Sequence, residues 1–354
     1  MSVSSNLNFQ NLLIEVAQKG VSDLYLSAGK GIKAKIGNNL VDWQGEIITE
    51  TFLEKNILEF LSTKYKAIFE RDGSVVFAHE FGDGFRFRIN LFRQQGKLVA
   101  VMRFIPPKAK LVKDLALPQM VEKFAEVDRG LIIVSGVSGV GKTTTIAGLL
   151  EQINQNEAKS VVTLEEPIEY VFANKKSIVE QREIPIDTPN FEQGLKDLLY
   201  MDIDVVSVDK LTSGEAAADI LSLAEKGLVF LEMTSHSVID TIDDYITLCT
   251  AEKKQDMRKV LANNLVAVLN QVLVDRHGIG RLPVVELMIN TAAVASAISE
   301  DRTGRIHDLI VTSGHVGMIS RERSLAELVR ANEVNLDEAL KYVDDQEEFK
   351  KMVV

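Results

Sequence analysis

The period of the apolar positions changes along the chain, and each change marks an element. Residues 8–19 place Phe9, Leu12, Leu13 and Val16 at helical spacing. Residues 22–27 alternate like a half-buried strand, and 31–43 read as two strands around a Gly-Asn-Asn turn. A helix is expected over 51–70. Residues 75–106 read as a meander of three strands. Its period of two puts Arg86 and Arg88 on one face, and Phe85, Phe87 and Ile89 on the other. Residues 1–105 are therefore expected to form a small α+β domain. Residues 106–118 hold three of the seven prolines and read as a linker.

From residue 130 the pattern is different. "GLIIVSG" is a continuous apolar run, as in a strand buried on both faces of a parallel sheet. Strand and helix signals then alternate: strands at 160–166, 204–209 and 228–233, helices at 191–200 and 214–226. This predicts an α/β domain over 119–354 with a parallel sheet. Beyond about residue 251 the chain reads as mainly helical, with 282–289 as one further strand.

Composition narrows the function classes. The chain has 354 residues and a net charge of −11, with no basic surplus of the kind a nucleic-acid binder uses against phosphate. The single Cys249 rules out internal disulfides and multi-cysteine zinc sites. No apolar run reaches the roughly 18 residues that a membrane span needs. The first twenty residues lack the basic and apolar regions of a signal peptide. A cytoplasmic protein without a membrane span is expected.

One motif carries explicit chemistry. "GVSGVGKT", residues 136–143, satisfies G-x-x-x-x-G-K-[ST] between a buried strand and a helix-prone stretch. In such a loop the backbone N–H groups of Gly136, Val137, Ser138, Gly139, Val140 and Gly141 turn toward phosphate oxygens, and the following helix start, with Thr144, adds a favourable dipole. Lys142 is expected to reach the β- and γ-phosphates of ATP, and the Thr143 hydroxyl to bind Mg²⁺. Asp209, at the end of an apolar strand, is a second candidate for the metal.

Further motifs stand at fixed distances from this loop: "TLEEPIEY" at 163–170, "QRE" at 181–183, "VSDLYLSAG" at 21–29 and "FRFRINLF" at 85–92. Together they make the chain, over roughly residues 8–320, resemble the retraction ATPases of type IV pili, the PilT type of the type II/IV secretion ATPase superfamily. The resemblance implies an N-terminal PAS-like α+β domain and a C-terminal RecA-like P-loop ATPase domain. It implies a hexamer, of this chain alone or mixed with a related retraction ATPase, at the cytoplasmic side of an inner-membrane pilus platform protein. It implies ATP hydrolysis coupled to pilus retraction and twitching motility. Glu165, Glu166 and Glu169 match the family's acidic box, with Glu165 and Glu166 in catalytic positions. Arg86, Arg88 and Arg103 match basic positions that approach nucleotide across an interface.

Several family positions are altered. Asp209, Lys210, Leu211, Thr212 and Ser213 stand where the family has Gly-Glu-Met-Arg-Asp, so Lys210 replaces the catalytic glutamate. An ammonium cannot take a proton from water. Glu232, Met233 and Thr234 stand for Thr-Leu-His, and His236, two positions on, is expected to be an exposed loop histidine. Lys196 and Tyr200 replace an arginine pair, Ile203 a proline, and Ala295 and Ser299 the arginines of a C-terminal helix. Losing one general base typically lowers a rate by about 10²–10⁴-fold. Three functions remain open on the sequence: an accessory ring subunit that binds ATP with weak or absent hydrolysis, an active retraction motor with rearranged groups around Asp209 and Glu165, and a nucleotide-independent scaffold.

Overall fold

A computed structural model describes residues 8–37, 39–82, 84–278 and 280–353. Asn38, in the middle of the expected Gly-Asn-Asn turn, and the first seven residues lie outside these. The chain divides into two compact units. One runs to Lys108 and also takes in Glu166–Val171; the other is Ala109–Glu165 with the chain from Phe172 onward.

The first unit opens with helix α1 (Phe9–Gln18), capped by the Asn8 side chain, which buries the four apolar residues spaced for it. Strands β1 (Asp23–Ser27), β2 (Gly31–Ile36) and β3 (Asn39–Ile47) follow. The expected helix over 51–70 is instead two: α2 (Glu50–Asn56) and α3 (Thr63–Asp72), separated by a short 3₁₀ turn at Leu58–Phe60. Ser62 explains the break. Its hydroxyl accepts from the Tyr65 N–H at 3.4 Å, restarting the helix after Leu61 turns extended. The meander is β4 (Ser74–Phe81), β5 (Phe85–Gln94) and β6 (Lys97–Ile105). Among the described residues these make one antiparallel sheet in the order β3-β2-β1-β6-β5-β4. Phe87 and Ile89 are buried on its inner face, while Arg86 and Arg88 are partly exposed, as their alternation requires.

The second unit begins with a 3₁₀ turn at Val112–Asp114 and a short helix α4 (Gln119–Glu122). Strand β7 (Gly130–Ser135), helix α5 (Lys142–Asn156), β8 (Ser160–Glu165) and β9 (Ile178–Glu183) come next. They are followed by α6 (Phe191–Leu198), β10 (Val205–Val208), α7 (Gly214–Ala224) and β11 (Leu228–Met233). Then come α8 (Val238–Thr247), α9 (Lys254–Asn264), β12 (Leu265–Asp275), β13 (Arg281–Ile289) and α10 (Ala292–Ser299). The sheet order is β13-β12-β7-β11-β10-β8-β9, parallel throughout except for β13.

This sheet is an α/β core covered on both faces. Leu131, Ile133, Val229 and Leu231 pack against α6–α10, whereas Ile132, Val134, Leu228 and Phe230 pack against α5. Burying each such side chain contributes about 1.5–3 kcal/mol, which is why these strands read as unbroken apolar runs. The expectation of a mainly helical region beyond residue 251 with one strand is corrected by β12. "LVAVLNQVLVD" is buried along most of its length and pairs with β7 on one side and β13 on the other. A run that is apolar on both faces carries no period of two, so only its valines marked it as a strand.

Candidate nucleotide-binding site

β7 is buried from end to end and delivers the chain to Gly136. Gly136 has a φ of 144°, and a Cβ there would lie 2.3 Å from the Gln271 carbonyl oxygen. Gly139 and Gly141 follow at φ 82° and 93°, and α5 starts at Lys142. The loop therefore closes only with glycines at these turns. Gly136→Ala is expected to overpack the loop against β12 and cost about 1–3 kcal/mol. A melting curve with and without ATP checks this; an unchanged midpoint and an unchanged ATP response would contradict it.

Gln271 holds the loop from β12. Its Nε2 donates to the Val140 carbonyl at 2.7 Å, and its Oε1 accepts from the Thr145 hydroxyl at 2.9 Å. Its role was invisible in the sequence because its strand was. Val140 is buried, Val137 and Ser138 are exposed, and Thr144 follows Thr143 into the helix.

Lys142 is only 5% exposed. Its ammonium donates to the carbonyls of Gly136 at 2.9 Å and Val137 at 3.0 Å, and lies 3.6 Å from Glu232 Oε1. The Thr143 hydroxyl donates to Glu232 Oε2 at 2.9 Å. A cation this deeply buried requires such acceptors. Glu232 sits on β11, opposite Val134 of the neighbouring β7. In the sequence Glu232 stands out only as a substituted family position. The available signal was a carboxylate in the otherwise apolar run "LVFLEM".

Asp209, Lys210 and Thr234 line one cavity of about 410 Å³ with Glu232, Met233 and Asp244. The Asp209 N–H donates to the Leu164 carbonyl at 3.1 Å, tying the end of β10 to β8. Glu165, at the end of β8, is buried; its Oε1 accepts from Thr163 at 2.5 Å and from Gln181 at 2.8 Å. Glu232 thus belongs both to the phosphate loop and to the cavity that contains the altered catalytic positions. Among the described residues no three His, Cys, Asp or Glu side chains form a metal cluster. A magnesium ion here would depend on phosphate oxygens and water for most of its shell, its usual mode with nucleotides.

The other candidate residues lie elsewhere. Glu166 and Glu169 belong to the 166–171 segment, which packs with the N-terminal unit. There Arg86 donates to the Glu169 and Ile168 carbonyls at 2.7 and 2.6 Å, and Arg88 pairs with the Glu169 carboxylate at 3.0 Å. Arg103, opposite Arg88 in the sheet register, pairs with Asp23 at 2.9 Å. Burial, and then the Arg86 charge, pull the His79 imidazole below its usual value. His236 is exposed, and its carbonyl accepts from Arg321. Lys196 pairs with Glu215, Tyr200 is 92% exposed, and the Ser299 hydroxyl donates to the Ala295 carbonyl at 2.7 Å inside α10.

Residues 71–343 match the family model described as type II/IV secretion system protein. The type IV pilus retraction ATPase PilT of Pseudomonas aeruginosa is 31% identical over 97% of this chain and the whole of that protein. This chain belongs to that family, in its pilus-ATPase branch. The type IV pilus ATPase PilU of the same organism is 27% identical, over 98% of this chain and 91% of its own length. A crystal structure of the pilus retraction motor PilT with bound ADP superposes with a TM-score of 0.85 at 30% identity, covering 98% of this chain and all of that one. The two-unit architecture is that of this pilus-ATPase branch. Among the described residues no helix is long and apolar enough to cross a membrane.

Proposed function

We propose that this pilus-family ATPase is an accessory ring subunit of a type IV pilus machine, which holds ATP with Mg²⁺ and hydrolyses it weakly or not at all. The observation that carries this reading is the intact phosphate loop, with Lys142 and Thr143 in place, joined through Glu232 to a cavity lined by Lys210 and Thr234. Binding machinery is present, and an ammonium stands where the family has its proton acceptor.

The residues present fit a magnesium nucleotide. The glycine turns form a cradle that a Cβ would fill at Gly136. Lys142 would exchange the Gly136 and Val137 carbonyls for phosphate oxygens, and Thr143 would offer its hydroxyl oxygen to the cation. Bound Mg²⁺ would supply charge neutralisation at the phosphate oxygens. Glu165 would orient the water near the γ-phosphate, held by Thr163 and Gln181. Asp209 lines the cavity. Lys210, as an ammonium, does not take the water's proton.

In a ring, Arg86, Arg88 and Arg103 would face a neighbouring copy's nucleotide, exchanging their present carbonyl and carboxylate acceptors for phosphate oxygens. A planar guanidinium suits that exchange. The ring would contain this chain alone or this chain with a related retraction ATPase. It would work on the cytoplasmic side of the inner membrane, against a pilus platform protein.

Sedimentation with a non-hydrolysable ATP analogue and Mg²⁺ tests the reading. A six-membered species is expected, formed by the chain alone or on adding a catalytically complete family member. A monomer under every condition, turning ATP over at ordinary enzyme rates, would contradict it.

A further inference from the structure

We infer that Glu232 has taken over the acidic role beside the phosphate loop, so that the carboxylate facing the nucleotide's divalent cation comes from β11 rather than from the end of β10. This inference rests on the nucleotide reading above. Its observations are independent of Lys210: the Glu232 carboxylate accepts from the Thr143 hydroxyl at 2.9 Å and lies 3.6 Å from the Lys142 ammonium.

The sheet order makes the exchange of strands possible. β11 lies between β7 and β10, so a side chain from β11 starts one strand spacing from the loop's own strand and one from β10 starts two. That spacing is about 4.8 Å. Glu232 is in register with Val134, two residues before Gly136. From there its oxygens reach both the residue that contacts phosphate and the residue that contacts the cation. A carboxylate at this position accepts hydrogen bonds from the cation's water shell, the usual outer-sphere role of an acid beside a magnesium nucleotide.

Two consequences follow from charge. Without a divalent cation, Glu232 competes with phosphate for Lys142 and repels it. With the cation, the same carboxylate is attractive. The affinity for ATP is therefore unusually dependent on Mg²⁺, and Glu232 sets that dependence. A purely structural role would weaken both forms of binding together.

The test is equilibrium binding of ATP to the full chain by calorimetry, in Mg²⁺ and in EDTA. The wild type is expected to bind more tightly with Mg²⁺. Glu232→Gln is expected to bind metal-free ATP more tightly than the wild type and to lose about tenfold of the Mg²⁺ gain. Glu232→Asp keeps the charge and is expected to retain more of the gain than Glu232→Gln. A Glu232→Gln variant with the full Mg²⁺ gain overturns the inference. So does an equal loss in Glu232→Asp and Glu232→Gln, which would mean packing rather than charge. Absence of ATP binding by the wild type in both conditions, or unchanged binding in Lys142→Ala, refutes the nucleotide reading itself.

Discussion

Lys142→Ala abolishes ATP binding at concentrations that saturate the wild type. The ammonium is buried, and three oxygens already surround it: the Gly136 and Val137 carbonyls and Glu232. Phosphate would replace the carbonyls as its partner. Truncating one member of a buried, hydrogen-bonded charge pair costs about 2–5 kcal/mol, which is roughly 30- to several-thousand-fold in affinity. Removal also leaves Glu232 facing the incoming phosphates without its neighbouring positive charge, so the loss should lie toward the upper end. Calorimetric titration measures it. Binding within a few-fold of the wild type would mean that nucleotide does not sit on this loop.

Lys210→Glu raises ATP turnover by about 10²–10⁴-fold, the typical contribution of a positioned general base. In barrier terms this is roughly 3–5.5 kcal/mol. Lys210 lines the cavity that Glu232 shares with Asp209 and Thr234, so the new carboxylate would enter a space already bounded by polar groups. Lys210→Gln provides the comparison, because it removes the ammonium without adding a base. Turnover that rises equally in both variants would mean that the lysine charge, rather than the missing acid, holds the rate down. Turnover unchanged in Lys210→Glu would mean that the other substitutions, Thr234 among them, suffice to block the reaction.

The order of domains and the phosphate loop were legible because their signals are local. The apolar run of β7, three glycines and Lys142–Thr143 stand within fourteen residues, and the structure gives each the place its type demands. The loop's outer support was not legible. Gln271 reaches Val140 and Thr145 from β12, more than a hundred residues away in sequence, on a strand whose two buried faces erase the alternation. Glu232 failed for a different reason. Against the family's motif it reads as a lost threonine, whereas the geometry shows a carboxylate placed against Thr143 and Lys142. The break at Ser62 leaves no mark in the apolar spacing, which is similar on both sides of a cap formed by one side-chain hydrogen bond.

Chromatography of the nucleotide recovered from the isolated protein tests the central claim most directly. The protein is mixed with a slight deficit of ATP in Mg²⁺, held for about ten seconds, and quenched in acid. An enzyme turning over at about 1 s⁻¹ would convert all of it within seconds. The account predicts that the nucleotide is bound and that most of it is recovered as ATP. Recovery as ADP within seconds, lost in Lys142→Ala, would contradict it.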